Sequence, residues 1–174
     1  MPFGFDVLDE TGGAGFGVPI GTIRTFPPAG CTAPTVTKRV GKVVYEVNGE
    51  GLTVTAEGTI DGPHPGRAKG RRPEPVGGRA PGDHRGHLVP EGAVDDTATV
   101  NVKENIISES GASNLGPKKQ LDNLLSRIKC DNPGAVVRLR AEALRKPGET
   151  RPFAITYYIT VDGQLTRAVT ILND

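Results

Sequence analysis

A single amphipathic stripe between two β-rich regions constrains this fold more than any other feature of the sequence. Apolar residues recur there at intervals of three and four, the period of one helix face: Leu121, Leu124, Leu125 and Ile128. Pro117 suits the first turn of this helix, and residues 131–134 (DNPG) predict its end. One helix set among strands predicts an α+β domain.

Runs of β-branched residues on both sides of the helix predict the strands. Residues 35–60 predict a hairpin that turns at Asn48-Gly49, and residues 97–108 predict one or two short strands. Three strands should follow the helix, the last two joined by a turn at Asp162-Gly163: 136–143, 153–161 and 164–172. Strands joined by short turns predict a mainly antiparallel sheet.

Glycine and proline divide the chain. There are 24 Gly and 15 Pro residues, and residues 1–34 combine both types with little periodicity. We therefore predict a lead-in or linker over residues 1–34 and one domain over residues 35–174. The glycine-rich run at residues 12–17 does not predict a phosphate-binding loop, because no strand pattern precedes it and no helix pattern follows it.

The segment from His64 to His87 predicts a basic loop. It contains six Lys or Arg residues against Glu74 and Asp83, and all three histidines of the chain lie within it. The net charge of the whole chain is only +1, so the clustering is more informative than the total. A basic loop is usually only a solvated surface, but one that also holds every histidine is a candidate functional site.

Several classes of protein are disfavoured. No apolar run approaches the length of a transmembrane helix, so no membrane partner is expected, and the N-terminus lacks a signal-peptide pattern. We expect either a cytosolic protein or the excised end of a larger exported chain. Cys31 and Cys130 are compatible with one disulfide or with two free thiols, and their spacing to histidine fits no zinc pattern.

The residues from 82 to about 129 have the composition that phosphodiester hydrolysis requires. The reaction needs an activated water, charge neutralisation on the phosphate and help for the leaving oxygen, and neutral imidazole suits the first task near pH 7. The run His84-Arg85-Gly86-His87 resembles the Asp-Arg-Gly-His signature of the DNA/RNA non-specific endonucleases. Asn105 and Asn114 are nine residues apart and Asp122 follows eight later, as in that family's pattern.

The resemblance implies the ββα-metal (His-Me finger) fold and a role for each matching residue. His87 would be the general base, and Asn114 would bind a catalytic Mg²⁺ or Mn²⁺. Asn105 would orient His87 or the phosphate, Asp122 would hold metal-bound waters, and Arg85 would contact phosphate or brace the loop. Lys118 is a further candidate for contact with the substrate.

The match has one open choice and two departures. The family also places an upstream arginine on the scissile phosphate, and both Arg72 and Arg79 are candidates. His84 stands where the family usually has Asp, and Asp122 stands where it has Glu, one methylene longer. The related HNH nucleases are disfavoured, because their further metal-binding histidine on the helix has no counterpart after His87.

Some alternatives remain open from sequence. Asn105 and Asn114 could simply cap turns, and Asp122 could be an acidic residue favoured by the first turn of a helix. The domain could also be a non-catalytic binding module of the same fold, or a structural end domain. On the nuclease reading, DNA or RNA is the substrate.

Many relatives with this signature are toxin modules at the ends of secreted bacterial proteins. The resemblance therefore also implies an effector that acts in a target cytoplasm and an acidic immunity protein as its partner.

Overall fold

The computed structural model describes residues 34–64 and 70–174, together with the backbone of two short strands near the N-terminus. In chain order the strands are β1 (Phe5–Leu8), β2 (Ala14–Gly15), β3 (Val36–Val40), β4 (Val43–Val47), β5 (Thr53–Thr59), β6 (His84–His87), β7 (Ile106–Glu109), β8 (Val137–Leu144), β9 (Ala154–Val161) and β10 (Gln164–Leu172). The α-helices are α1 (Gly111–Leu115) and α2 (Pro117–Asp131). This composition confirms the predicted α+β class.

One eight-stranded sheet forms the body of the fold, in the order β2-β1-β10-β9-β8-β5-β4-β3. Every neighbouring pair is antiparallel except β1 and β10, which run parallel. The strands β6 and β7 form a separate antiparallel pair, and the two helices follow directly. Two strands and then a helix make up the ββα unit that the sequence predicted.

The predicted helix runs from Pro117 to Asp131, with the proline in its first turn as expected. Its stripe packs into the core, because Leu121, Leu125 and Ile128 are buried and Leu124 packs at the edge of the same cluster. The stripe meets the inward side chains of the sheet, among them Tyr157 on β9. The helix thereby closes one face of the sheet.

Both predicted hairpins are present. β4 and β5 pair as expected, although the connection is longer than a two-residue turn. The Asn48 side chain holds that connection by accepting hydrogen bonds from the backbone N–H groups of Glu50 and Leu52. β9 and β10 turn at Asp162 and Gly163, whose φ angles of 48° and 80° are those of a type I′ turn.

The region 97–108 was predicted to hold one or two short strands, and the structure has one. Only β7 is a strand there, and two 3₁₀ turns precede it, at Thr97–Thr99 and Lys103–Asn105. The Asp96 carboxylate accepts a hydrogen bond from the Ala98 N–H, and the Thr99 hydroxyl donates to the Asp96 carbonyl. These local bonds override the strand preference of the β-branched residues.

Two further elements were not predicted. The short helix α1 precedes α2, and the Ser110 hydroxyl caps it by accepting a hydrogen bond from the Ser113 N–H. β1 and β2 lie within the predicted lead-in and add to the edge of the sheet at β10. Residues 1–4, 9–13 and 16–33 of the lead-in lie outside the described part of the chain, including Cys31 and most of the glycine run.

Two further predictions concern the cysteine residues and membrane-spanning helices. Cys130 is a free, exposed thiol, while the question of its pairing with Cys31 lies outside the described residues. Among the helices that the structure describes, none has the length and apolar character needed to cross a bilayer.

Candidate active site

The strand β6 carries the histidine motif and divides the site into two sides. It pairs with β7 so that His84 lies opposite Glu109 and His87 lies opposite Ile106. Successive side chains of a strand point to opposite faces, so Arg85 and His87 share one face, and His84 and Gly86 share the other. The two histidines of the motif therefore have different surroundings.

A chain of hydrogen bonds holds the imidazole of His87. Its Nε2 lies 2.8 Å from Asn101 Oδ1, and Asn101 Nδ2 donates to Glu91 Oε1, also at 2.8 Å. Because a carboxylate only accepts, the Asn101 amide must turn its nitrogen to Glu91 and its oxygen to His87. Nε2 of the neutral ring therefore carries the proton, and Nδ1 keeps its lone pair.

His87 is neutral at physiological pH. The side chain is only 7% exposed, and burial lowers its pKa to about 4, with the positive charges of Arg72 and Lys118 acting in the same direction. The hydrogen bond to Asn101 opposes the shift without reversing it. A neutral imidazole with a free Nδ1 is the protonation state that a general base requires.

Glu91 anchors this chain of bonds as an ionised carboxylate. Burial alone would raise its pKa, but hydrogen bonds from Asn101 and the Gly70 N–H bring the pKa below the ordinary value. The Arg72 guanidinium adds an ion pair at 3.5 Å. Sequence reasoning missed both Glu91 and Asn101, because no motif marks them and Asn101 lies in a segment that was predicted to be a strand.

Arg72 is the upstream arginine that the structure brings to His87. It is half-buried, donates to the Arg85 carbonyl at 3.2 Å and lowers the pKa of His87 by its charge. Arg79 is exposed and paired with Glu74 at 3.0 Å. Of the two candidates for the scissile phosphate, the geometry favours Arg72.

Arg85 braces the loop. Its guanidinium donates to the Arg72 carbonyl at 2.9 Å and pairs with Glu74 at 2.7 Å. The two arginines thus exchange side chain-to-backbone hydrogen bonds, and this tie holds the basic loop against β6. Bracing was one of the two roles expected for Arg85.

Asn105 acts on the backbone that follows His87. It is completely buried, so it cannot reach a phosphate. Its Oδ1 accepts from the Val89 N–H, and its Nδ2 donates to the carbonyls of Val89 and Val100. Asn105 therefore does not make the expected contact with the imidazole of His87. It holds the backbone of Val89, two residues after His87, where the chain leaves β6.

Asn114 lies on the other side of β6, beside His84. It belongs to α1, and its Nδ2 donates to His84 Nδ1 at 3.0 Å. His84 is exposed and Asn114 is half-exposed, so the pair is open to solvent. Within the described chain no hydrogen bond joins Asn114 to His87.

The residues on this second side fit a divalent cation with few protein ligands. The described residues contain no group of three or more His, Cys, Asp or Glu that could hold a metal. The side chains of Asn114 and His84 offer one oxygen and one nitrogen donor. Behind them the carboxylate of Glu109 is fully buried, and its Oε2 has no hydrogen-bond partner. Its negative charge favours a cation nearby.

Glu109 also explains the glycine of the motif. A side chain at Gly86 would overlap the Glu109 carboxylate, so only glycine allows this close approach of the two strands' groups. The carboxylate is balanced by Lys118, whose Nζ lies 3.5 Å from Glu109 Oε1. The buried ion pair of Glu109 and Lys118 thus packs against Gly86 of the histidine motif.

Lys118 differs from its expected role in substrate contact. It is only 6% exposed, and its ammonium donates to the His87 carbonyl and, at 2.8 Å, to the Tyr157 hydroxyl. Burial by itself lowers the pKa of Lys118, but Glu109 and Tyr157 raise it more, so the amine stays charged. Lys118 is a core residue that ties α2 to β6 and to the sheet.

Asp122 lies on α2, where the charges of Lys118 and Glu109 act on its carboxyl group. Together with His64 and Ser126 it lines a cavity of about 170 Å³ between α2 and the start of the basic loop. Burial raises the pKa of its carboxyl group. No hydrogen bond connects the Asp122 carboxylate to Asn114 in the described structure, so the water-holding role stays a prediction.

The fold of this chain is similar to that of solved nuclease structures. No protein-family model matches the sequence, and no curated protein matches it. Among solved structures, metal-free NucA from Streptococcus agalactiae superposes with a TM-score of 0.57 and 16% identity, covering 80% of this chain and 83% of that one. The fold is that of the ββα-metal nucleases. The identity is low, so the likeness establishes the fold alone.

Two further nuclease structures agree with this fold. The magnesium-bound form of NucA matches with a TM-score of 0.56 at 17% identity, covering 80% of this chain and 82% of that one. The Sda1 nuclease with a bound zinc ion matches with a TM-score of 0.59 at 18% identity, covering 76% and 74%. The ββα-metal nuclease fold is thus shared over about three quarters of this chain or more.

Proposed function

We propose that this chain is a metal-dependent endonuclease that hydrolyses the phosphodiester bonds of DNA or RNA without sequence specificity. One observation carries the proposal: on a nuclease-like fold, the motif histidine is buried, neutral and held with Nδ1 free, and an arginine lies beside it.

The proposed reaction begins with a water molecule beside His87 Nδ1. As the water attacks phosphorus, its proton moves to Nδ1, while Nε2–H stays bonded to Asn101 Oδ1. The low pKa of His87 makes it a weak base in the free protein, but a phosphate bound close by favours the protonated ring. Glu91 then faces the imidazolium through Asn101 and stabilises its charge.

In this proposal the basic loop neutralises negative charge on the bound phosphate. Arg72 is the nearest candidate, and Arg85 holds its backbone in place. Asn114 would hold a divalent cation, Mg²⁺ or Mn²⁺, which would neutralise further charge and assist the leaving oxygen. All of these proposed contacts are to phosphate, so binding should depend on phosphate charge and weaken steeply with salt.

The wider biological role also belongs to this proposal. By the family resemblance alone, the proposal extends to an effector toxin that acts in a target cytoplasm, with an acidic immunity protein that covers the basic loop. A non-catalytic domain of the same fold is the alternative, and it would bind nucleic acid or protein without needing the metal. The test below separates the two functions.

The direct test is cleavage of plasmid DNA and of a structured RNA, each with Mg²⁺, with Mn²⁺ and with EDTA. Wild type should cut at least one substrate with metal, and EDTA should abolish cutting. Asn114→Ala should lose most of this activity, since it removes the proposed oxygen ligand. Asn123→Ala, on the exposed surface of α2, is the matched control and should cut normally. Intact DNA and RNA under every condition would leave the binding module as the function.

A second prediction concerns the pH dependence set by His87 and Asn101. A base acts unprotonated, so kcat/KM should stay level down to about pH 5 and fall as the pH passes the His87 pKa of about 4. Asn101→Asp should move this acid limb to higher pH, because a carboxylate at Nε2 favours the imidazolium. Asn101→Leu should reduce kcat about 10–100-fold, the usual cost of losing an orienting partner.

The acid limb of the kcat/KM profile shows whether Asn101 positions His87 or only stabilises the fold. A residue that only stabilised the fold would lower the melting temperature and leave the shape of the pH profile unchanged. If Asn101→Asp gives the wild-type profile, then Asn101 does not govern the protonation of His87, and the assignment of Nδ1 as the base fails with it.

A further inference from the structure

The contact between His84 and Asn114 has the form of a pair of metal ligands. Asn114 Nδ2 donates to His84 Nδ1 at 3.0 Å, so the lone pair of Nδ1 points at the amide of the proposed metal ligand. Both side chains are accessible from solvent, and β6 and α1 hold their backbones. A hydrogen bond alone would explain the contact but not its position at the proposed metal site.

The spacing matches two neighbouring ligands of one cation. Nitrogen and oxygen donors lie about 2.0–2.1 Å from small divalent ions, so two donors at a right angle are separated by about 3.0 Å. Half a turn of the Asn114 amide would place Oδ1 where Nδ2 now lies. A rotation of the His84 ring would then turn its Nδ1 lone pair from the amide towards a cation shared by both donors.

The electrostatics on this face of β6 also favour a cation. Glu109 lies directly opposite His84 in the strand pairing, it is fully buried, and its Oε2 has no hydrogen-bond partner. Lys118 is paired with the other oxygen, Oε1. The unpartnered Oε2 lies against Gly86, two residues from His84 in β6.

We propose that His84 is a second protein ligand beside Asn114, and that this imidazole–amide pair makes the site prefer Mn²⁺ and Zn²⁺ over Mg²⁺. The inference rests on the proposed function for the role of the metal, but it concerns metal binding itself. Mg²⁺ is selected by oxygen ligands, whereas an imidazole nitrogen raises the affinity for first-row transition ions. The imidazole of His84 is the only nitrogen donor in this contact with Asn114, so the predicted preference depends on that one side chain.

The test measures metal binding without any substrate. Mn²⁺ titration followed by electron paramagnetic resonance gives the affinity, and the nitrogen modulation of the signal reports directly on a bound imidazole. Wild type should show nitrogen coupling. His84→Ala should lose the coupling and bind Mn²⁺ about tenfold more weakly or worse, as loss of a ligand-shell residue does. Competition with Mg²⁺ measures the preference between the two ions.

Two further variants make the result decisive. His84→Asp should keep a metal site without nitrogen coupling and move the preference towards Mg²⁺, because it restores an oxygen ligand. His64→Ala changes a histidine that lines the separate cavity near Asp122, and it should behave as wild type. Thermal melts should show all the variants folded, since His84 is exposed.

The proposal would be overturned if wild type binds Mn²⁺ without nitrogen coupling, or if His84→Ala retains the coupling and the affinity. It would also be overturned if wild type binds no divalent ion. Failure of the proposed function looks different, because a protein that binds Mn²⁺ through His84 but cuts neither DNA nor RNA would keep this inference and lose the nuclease.

Discussion

Replacing His87 by alanine is expected to slow phosphodiester cleavage by about 10²–10⁴-fold, the usual contribution of a general base. The substitution removes Nδ1, the proton acceptor that Asn101 and Glu91 hold in place. The loss should appear in kcat, with little change in KM, because the arginines that face the phosphate remain. Initial rates on a fluorescent oligonucleotide at saturating metal would measure it.

The control for this variant must address folding, because His87 is buried. His87→Asn keeps a polar group of smaller size, and its thermal melt should stay close to that of wild type while its activity stays low. His64→Ala removes another histidine of the basic loop and should cut normally. Cleavage by the His87 variants at more than about a tenth of the wild-type rate would exclude His87 as the base.

The second large effect is expected on stability, from Lys118→Met. This change leaves the Glu109 carboxylate buried without its counter-ion, and it removes donors to the His87 carbonyl and the Tyr157 hydroxyl. Breaking one side of a buried ion pair costs about 3–5 kcal/mol. The melting temperature should therefore fall by roughly 10 °C for a domain of this size. Chemical denaturation of Lys118→Met and of wild type would measure the difference in the free energy of unfolding directly.

The neighbouring Lys119 provides a matched control. It is exposed, and Lys119→Met should change the free energy of unfolding by no more than about 0.5 kcal/mol. Adding Glu109→Gln to Lys118→Met should recover part of the loss, because the unpaired charge is then gone. If Lys118→Met instead weakened substrate binding and left the stability unchanged, Lys118 would act at the surface, as its sequence position first suggested.

The elements that sequence predicted well are those whose determinants are local. The Leu stripe and Pro117 predicted α2, and Asp162-Gly163 predicted the last hairpin, because periodicity and turn chemistry act within a few residues. Residues 97–108 were predicted to hold one or two short strands, and the structure has one, β7, preceded by 3₁₀ turns. The Thr and Val residues before β7 indicate a strand, but capping by Asp96 and the buried amide of Asn105 form 3₁₀ turns instead.

The sequence by itself determined which residues carry the motif, from His84 to His87 and from Asn105 to Asn114, and thereby the ββα unit. Only the tertiary structure decided what each one contacts. Burial made Lys118 a core ion-pair partner, and it made His87 neutral. Chain folding brought Asn101 and Glu91 to the imidazole and His84 to Asn114. The reason is physical: a motif fixes side-chain chemistry and local geometry, whereas charge state and partners depend on groups distant in sequence that only the folded chain brings together.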